Sequence, residues 1–232
     1  MRGCFVTATD TGVGKTMLAA SLCAALRAAG ERVAAFKPVV TGIDEPEGGR
    51  PPDHELLGAA AGSDPAAVTP LRFGPPVSPH LAAELHGTAI DPTALVDAAR
   101  AAARDVDVIV CEGVGGLLVP LTLDYLVRDL ALDLGLPLVI SARPGLGTIN
   151  HTLLTIEAAR AADLDVRAVV LTPWPSAPEA IHRSNLETIE RLGDVAVATL
   201  ADTGVTAPEL ARAGATLPYT GWLDPAGSGI ER

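Results

Sequence analysis

The 232-residue sequence predicts a doubly wound α/β fold with a mostly parallel sheet, because short apolar runs alternate with longer helical segments. The short runs are rich in Val, Ile and Leu without polar alternation, which is typical of parallel strands covered on both faces. The longer segments are rich in alanine and leucine at helical spacing. Strands are predicted at 3–8, 32–39, 106–113, 136–142, 166–172 and 195–200, and helices at 15–30, 91–105, 149–163 and 184–193.

Each element follows from its local sequence. The strand GCFVTA leads into the helix KTMLAASLCAALRAAG, and Gly30 stands where a helix commonly ends. The strands RVAAFKPV and VDVIVCEG lie on either side of the helix DPTALVDAARAAARD. The strands LPLVISA, VRAVVLT and VAVATL alternate with the helices INHTLLTIEAARAAD and SNLETIERLG. This order predicts successive βαβ units.

Two segments interrupt the alternation. Residues 41–53 are rich in proline, glycine and acidic side chains and are predicted to form a mobile surface loop, and 68–80 form a proline-rich connection. Neither is long enough to separate two domains, so a single domain spanning 1–232 is expected. Beyond about residue 203 the pattern weakens and predicts one short helix.

Composition limits the classes of function. A net charge of −11 argues against a nucleic-acid or anionic-membrane partner, because no basic field is available to attract phosphates. Cys4, Cys23 and Cys111 lie far apart without a CxxC pair, which predicts reduced, mostly buried thiols. No stretch approaches the ~20 apolar residues that span a bilayer, and the N-terminus is not typical of a signal peptide. We therefore expect a cytoplasmic protein.

Lysine is scarce. Of 17 basic residues, only Lys15 and Lys37 are lysine, and the others are arginine. An ammonium is a compact point charge, whereas a guanidinium is a planar fork, so the two are not interchangeable at a tight site. Codon bias would explain the scarcity, but both lysines fall within motif-like stretches. This favours a functional role for each.

The stretch ATDTGVGKTM ends in the Gly-Lys-Thr of a phosphate-binding loop, although Thr9 stands where the G-x-x-x-x-G-K-[ST] pattern has its first glycine. A predicted strand precedes it and a helix follows, as such a loop requires. Gly12 and Gly14 allow backbone N–H groups to face an anion. Lys15 can reach the β and γ phosphates, and the Thr16 hydroxyl can bind Mg²⁺. A chance Gly-x-Gly-Lys-Thr in an ordinary turn is the alternative.

The segment FKPVVTG lies at the end of the second predicted strand. Ligands of open α/β sheets gather at the carboxyl ends of strands, so Lys37 and Thr41 are expected in the same crevice as the phosphate loop. The alternative is a surface lysine beside a loop. A lysine that lines an open crevice is expected to contribute little to folding.

The segment CEGVGGLLVP likewise lies at the end of a predicted strand. Glu112 closes an apolar strand, and Gly113, Gly115 and Gly116 let the backbone approach a ligand closely. A carboxylate opposite a phosphate loop is suited to bind Mg²⁺ directly or through water. Asp53 opens a predicted helix, and taken alone it is better explained as an N-cap.

Five segments, TATDTGVGKT, FKPVVTG, PVSPHLAA, CEGVGGLLVP and GLGTINHTLLT, occur in this order and together resemble the dethiobiotin synthetase family over roughly residues 4–200. The resemblance implies a P-loop NTPase-type α/β domain that forms a homodimer. It also implies conversion of 7,8-diaminopelargonate, CO₂ and ATP, with Mg²⁺, into dethiobiotin, ADP and phosphate in biotin biosynthesis. Two departures are Ala8, where glycine is frequent, and TPWP, where base-contacting residues often include Asn.

The resemblance also implies individual roles. Thr9 matches the family's own loop, and Asp53 becomes a metal ligand rather than a cap. Asn150, at the start of INHTLLT, is implied to reach the substrate carboxylate in the neighbouring subunit. By the same resemblance, the catalytic lysines are Lys15 and Lys37, the metal ligands are Thr16, Asp53 and Glu112, the substrate-binding residues are Thr11, Lys37, Thr41 and Asn150, and the nucleotide-binding residues are Gly12, Val13, Gly14, Lys15, Thr16, Met17, Asp53, Glu112, Gly113, Val114, Gly115, Thr172 and Pro173.

These groups suit phosphoryl transfer from ATP to a carbamate, with lysines and Mg²⁺ offsetting negative charge. One alternative is a partition-type ATPase, but that class resembles KGGVGKT and has a lysine where Asp10 stands. A second is a related P-loop amide or carboxylate ligase, against which GTINHTLLT favours the dethiobiotin reaction. A third is a non-catalytic nucleotide-binding module, which would not need both Lys37 and Glu112 at the crevice.

Overall fold

The computed structural model describes residues 1–44 and 50–224. Their helices and strands alternate along the chain, with four short strands added outside the main sheet. The strands are β1 Gly3–Ala8, β2 Val33–Phe36, β3 Val39–Thr41, β4 Leu71–Phe73, β5 Val108–Glu112, β6 Pro120–Thr122, β7 Tyr125–Leu126, β8 Leu138–Ala142, β9 Val166–Trp174 and β10 Ala196–Ala201. The helices are α1 Lys15–Ala28, α2 Asp53–Ala61, α3 Pro65–Val68, α4 Pro79–His86, α5 Pro92–Ala102, α6 Val127–Leu134, α7 Thr148–Arg160, α8 Ala180–Gly193 and α9 Ala207–Gly214.

The central sheet has six strands in the order β10–β9–β8–β1–β5–β2, and every neighbouring pair is parallel. Because β1 lies between β5 and β8, the chain winds outward from it in both directions. This confirms the predicted doubly wound α/β fold. In such a sheet a crevice opens at the carboxyl ends of the central strands, where the order of winding reverses.

Both faces of the sheet are covered. Neighbouring side chains of β1 alternate between them, so that Phe5 packs in one apolar core and Val6 in the other. The first core lies against α5, α6, α7 and α8, and the second against α1, α2 and α9. This double coverage explains why the strand sequences are continuously apolar.

The second predicted strand, 32–39, is shorter in the structure. Strand β2 ends at Phe36, and the Lys37 N–H donates to the Val68 carbonyl instead of extending the central sheet. Pro38, which has no N–H group, follows at once. The chain then forms β3, which pairs in parallel with β4 in a separate two-stranded sheet. The proline-rich connection 68–80 therefore contains a strand that its composition did not predict.

The remaining differences concern short elements. The sequence patterns did not predict α3, α4, α6 or the antiparallel pair β6–β7. The short helix expected after residue 203 is α9, and a 3₁₀ turn at Tyr219–Trp222 follows it. Of the predicted mobile loop 41–53, residues 45–49 lie outside the described residues, as do 225–232 of the tail, and the single-domain span 1–232 stays a prediction.

The cysteine prediction agrees with the structure, because Cys4, Cys23 and Cys111 are buried and form no disulfide. Within 1–44 and 50–224, no helix is both long enough and apolar enough to cross a membrane.

Candidate active site

The phosphate loop lies between β1 and α1, and its backbone is left-handed at Gly12 (φ 72°) and Gly14 (φ 83°). Glycine adopts this conformation without steric cost. A β-carbon on Gly14 would also lie 2.7 Å from Thr172 Cγ2, whereas one on Gly12 would meet nothing within 4 Å. No side chain caps the first turn of α1, which leaves its N–H groups for an anion.

The end of β8 supports this loop at three points. The Thr9 N–H donates to the Ser141 carbonyl at 3.1 Å, and the buried Ser141 hydroxyl donates to the Val13 carbonyl at 2.8 Å. Arg143 then forms an ion pair with Asp10, with 3.0 Å between nitrogen and oxygen. The loop is therefore fixed to the strand beside it, and Val13 contributes through its backbone.

Four side chains meet beside the phosphate loop, at the carboxyl ends of β2 and β5. Lys37 Nζ donates to Glu112 Oε1 at 2.5 Å and to Asp53 Oδ2 at 2.6 Å. The Thr16 hydroxyl donates to Glu112 Oε1 at 2.8 Å. Although Asp53 is the first residue of α2, its side chain caps no backbone N–H group. The capping interpretation of Asp53 is therefore wrong, because its carboxylate faces Lys37.

Burial and charge act against each other in this cluster. Burial lowers the pKa of the Lys37 ammonium, but the negative charges of Glu112 and Asp53 outweigh it and the pKa is raised. Burial raises the pKa of the Glu112 carboxyl, and Lys37 only partly opposes this. Burial also acts to raise the pKa of Asp53, but the charge of Lys37 prevails and lowers it. One ammonium thus pairs with two carboxylates, of which Glu112 is fully buried and Asp53 is partly exposed.

Lys15 lies close to the same cluster and is also buried. Burial lowers the pKa of its ammonium, the charge of Glu112 partly restores it, and the like charge of Lys37 lowers it further. An anion bound at the loop would favour the charged form of Lys15. This is the environment expected of a phosphate-binding lysine.

A cavity of about 740 Å³ opens above these groups. It has space for a nucleotide's phosphates together with a small substrate, and both lysines line it. The predicted site residues that line it are Thr11, Gly12, Gly14, Lys15, Thr16, Met17, Lys37, Thr41, Asp53, Val114 and Gly115.

Six predicted site residues do not line the cavity. Val13 and Glu112 are buried beneath it, and a β-carbon on Gly113 would lie 2.8 Å from Val127. Thr172 packs against Gly14, with Pro173 beside it at the end of β9. Asn150 is exposed on α7, away from the cavity of its own chain.

Several residues that line the cavity were not among the predicted site residues. Arg50 and Val119 line the cavity, and so does the segment 76–79 that leads into α4. Pro76–Pro79 belong to the PVSPHLAA segment, and Val119 to CEGVGGLLVP, so both had a signal in the sequence. Whether these residues line the cavity depends on the path of the chain between helices and strands, and the motifs do not predict that path.

The donor set fits a hard divalent cation. Thr16 offers a hydroxyl, and Asp53 and Glu112 offer carboxylates, the ligand types that Mg²⁺ prefers. Glu112 Oε2 is buried and has no hydrogen-bond partner, although buried polar atoms are normally paired. In the described part of the chain, no group of three or more His, Cys, Asp or Glu side chains could hold a metal. Two carboxylates and a hydroxyl are, however, sufficient for an ion that keeps its water and phosphate ligands.

Comparison with known proteins agrees with this geometry. A family model described as an AAA domain matches residues 2–201. An ATP-dependent dethiobiotin synthetase from Anaeromyxobacter sp. (strain Fw109-5) is 43% identical over 84% of this chain and 91% of that protein. The chain belongs to the dethiobiotin synthetase family. A second such enzyme, from Mycobacterium sp. (strain KMS), is 40% identical over 94% of this chain and 96% of its own length.

Solved structures of proteins outside this family have a similar fold. A ParA family ATPase from Chlorobium tepidum TLS is similar with a TM-score of 0.53 at 15% identity, covering 92% of this chain and 90% of that one. The septum site-determining protein MinD from Pyrococcus horikoshii OT3, complexed with Mg-ADP, has a TM-score of 0.54 at 15% identity, covering 91% and 94%. This similarity establishes a P-loop NTPase fold. The dethiobiotin synthetase relatives are 40–43% identical to this chain, whereas these ATPases are 15% identical and show the fold alone.

Proposed function

We propose that this protein catalyses the ATP-dependent carboxylation and ring closure of 7,8-diaminopelargonate with CO₂, giving dethiobiotin, ADP and phosphate. The observation that carries the proposal is the convergence of Lys15, Lys37, Thr16 and Asp53 on one cavity at the phosphate loop, with Glu112 beneath it. The chain is also 40–43% identical to ATP-dependent dethiobiotin synthetases over most of its length.

The first step forms a carbamate. One amine of the substrate adds to CO₂ and loses a proton, and a carbamate oxygen then attacks the γ-phosphorus of ATP, so that ADP leaves. Negative charge accumulates on the transferring group, and the two lysine ammoniums oppose it, which is the main catalytic work in phosphoryl transfer. Lys37 is held by two carboxylates, so its ammonium is already oriented before substrate binds.

The second step closes the ring. The other amine attacks the carbonyl carbon of the carbamic–phosphoric anhydride, phosphate leaves, and the nitrogen loses its proton. Because both amines belong to one molecule, proximity supplies most of the acceleration. We assign substrate contacts to Thr11, Lys37 and Thr41, which line the cavity beside the phosphate loop.

Nucleotide and metal are assigned to the remaining groups. We propose that Gly12–Met17 hold the phosphates, and that Val114, Gly115, Thr172 and Pro173 lie along the rest of the nucleotide. Thr16, Asp53 and Glu112 would hold Mg²⁺, which when bound neutralises phosphate charge. Support comes from the unpaired Glu112 Oε2 and from the Thr16 hydroxyl within 2.8 Å of the same carboxylate.

We further propose a C2 homodimer in which Asn150 completes the substrate site of the neighbouring subunit. Asn150 is exposed, and the apolar Leu146 and Leu154 lie four residues before and after it with 87% and 56% exposure. A C2 interface over this part of α7 would cover these apolar side chains. A cytoplasmic location is proposed as well, supported by the three buried, unpaired cysteines.

The test is a product assay with 7,8-diaminopelargonate and bicarbonate, in which phosphate release and dethiobiotin are both measured with ATP, CTP or GTP. We expect phosphate release to depend on the diamine and to match dethiobiotin formation one to one. Phosphate release without the diamine would favour a partition-type ATPase, whereas diamine-dependent release without dethiobiotin would favour a related ligase. Asn150→Ala should weaken diamine binding alone, and a fully active monomer in sedimentation would exclude the shared site.

A further inference from the structure

The turn between β8 and α7, residues 143–147, connects two parts of the proposed site. At its start, Arg143 forms its ion pair with Asp10 of the phosphate loop. At its end, Gly147 has a left-handed backbone (φ 90°), and α7 begins one residue later without a side-chain cap. The direction in which α7 leaves the sheet therefore depends on how this turn is held.

One side chain from outside the turn holds its middle. Asn185 lies on the inner face of α8 with 6% exposure. Its side-chain amide donates to the Pro144 carbonyl at 2.9 Å and to the Gly145 carbonyl at 3.1 Å. The Gly145 carbonyl also accepts from the Thr148 N–H at 3.3 Å, where α7 starts. A single buried amide thus fixes two consecutive carbonyls just before the helix.

We infer that Asn185 is a positioning residue for the substrate, because it sets the orientation of the α7 N-terminus that carries Asn150. The inference rests on the proposed function, in which Asn150 reaches the substrate carboxylate of the neighbouring subunit. Nucleotide binding should depend little on Asn185, since Ser141 on β8 bonds to Val13 of the phosphate loop directly, whereas Asn185 bonds only to Pro144 and Gly145. The effect should therefore be selective for the diamine.

Asn185→Leu keeps the branched shape and the number of non-hydrogen side-chain atoms but donates no hydrogen bond, so the turn loses its fixed position. Small misplacements of a binding group cost up to ~100-fold, and we expect the KM for 7,8-diaminopelargonate to rise about 10- to 100-fold. The KM for ATP and kcat should change by less than about threefold, because the phosphate loop is untouched. Glu187→Gln, on the exposed face of the same helix, is the matched control and should change neither KM.

Subunit mixing tests the route of the effect. Asn185→Leu subunits have an intact Lys37, and Lys37→Met subunits have an intact α7. In a heterodimer, one of the two sites combines Lys37 of the Asn185→Leu subunit with α7 of the Lys37→Met subunit. Activity with a low KM for the diamine should therefore return after the variants are co-refolded or co-expressed. Neither homodimer has such a site. Restoration would separate positioning across the interface from a defect within one subunit.

Several results would overturn the inference. These are an unchanged KM for the diamine in a folded Asn185→Leu protein, an equal rise in both KM values, or no restoration on mixing. If Asn185→Leu fails to fold, Asn185→Ser keeps one donor and should give a smaller rise in the same KM alone. A wild-type protein that makes no dethiobiotin would overturn the proposed function as well, whereas an active wild type with any of the results above overturns only the inference.

Discussion

Lys37 Nζ lies 2.5 Å from Glu112 Oε1, and both residues are almost completely buried, with 4% and 0% exposure. The ion pair connects the end of β2 to the end of the neighbouring strand β5. Lys37 lines the cavity, as the sequence predicted, but its burial beside Glu112 argues against the expectation that it contributes little to folding. Lys37 is the charge that makes a buried carboxylate tolerable, so we expect it to contribute to stability in addition to its proposed catalytic role.

The first prediction concerns Lys37. Lys37→Met should abolish dethiobiotin synthesis and also lower the free energy of unfolding by about 3–5 kcal/mol, because Glu112 is left as an uncompensated buried charge. Lys37→Arg keeps the charge but not the compact geometry, so turnover should fall by about 10²–10³. Urea unfolding and steady-state kinetics measure the two effects. The double variant Lys37→Met/Glu112→Gln should recover part of the stability that Lys37→Met loses, and none of the activity. Near-normal turnover of Lys37→Arg would contradict the prediction, because it would mean that only the charge at this position matters.

The second prediction separates the two glycines of the phosphate loop. Both have left-handed backbones, for which a non-glycine residue costs roughly 1–2 kcal/mol. Only at Gly14 would a new methyl group also meet Thr172 Cγ2, at 2.7 Å. Gly14→Ala should therefore weaken ATP binding much more than Gly12→Ala in calorimetric titrations. Thr172→Ser deletes the clashing methyl group and should restore part of the affinity of Gly14→Ala; equal affinities for the two single variants would contradict this account.

The third prediction concerns the packing of helix α9. Helix α9 packs on α1 so closely that a β-carbon on Gly214 would lie 2.1 Å from the Ser21 carbonyl oxygen. Gly214→Ala should destabilise the protein by about 1–3 kcal/mol through overpacking, measured as a lower Tm. The KM for ATP should not change, because this contact lies away from the cavity. Gly221→Ala, where a β-carbon meets nothing within 4 Å, is the matched control and should keep the wild-type Tm.

The fourth prediction concerns pH. Burial raises the pKa of the Cys4 thiol to about 12, against about 8.5 for an exposed thiol. The unfolded chain therefore releases this proton at lower pH than the native protein does. Burial of the protonated Cys4 thiol therefore stabilises the folded protein fully below about pH 8.5. This stabilisation is lost as the pH rises toward 12, at about 1.4 kcal/mol per pH unit for each such thiol.

Urea unfolding measured between about pH 8.5 and 11 tests this window. Cys4→Ala should show a shallower loss of stability with rising pH than wild type, whatever its stability at neutral pH. Parallel slopes for the two proteins would show that Cys4 does not titrate differently in the unfolded chain. Slow labelling of native thiols at neutral pH is a further expected result, since all three are buried.

The sequence by itself determined the α/β class, the six strands of the central sheet and the phosphate loop. Strand periodicity is local, and continuous apolar runs have few alternatives to a doubly covered parallel sheet. The same holds for the charged residues that end these strands: Lys37 and Glu112 could be placed near the phosphate loop because parallel strands bring their carboxyl ends to one edge.

Only the tertiary structure decided which groups touch. Whether Asp53 caps α2 or faces Lys37 depends on where α2 lies relative to β2, and no local pattern contains that information. Other features likewise depend on segments that are distant in sequence. They are the end of the second strand at Phe36, the close approach of Gly14 to Thr172 and the two hydrogen bonds of Asn185. Such contacts are set by packing, in which the volume and position of both partners count, whereas a sequence pattern reports only one of them.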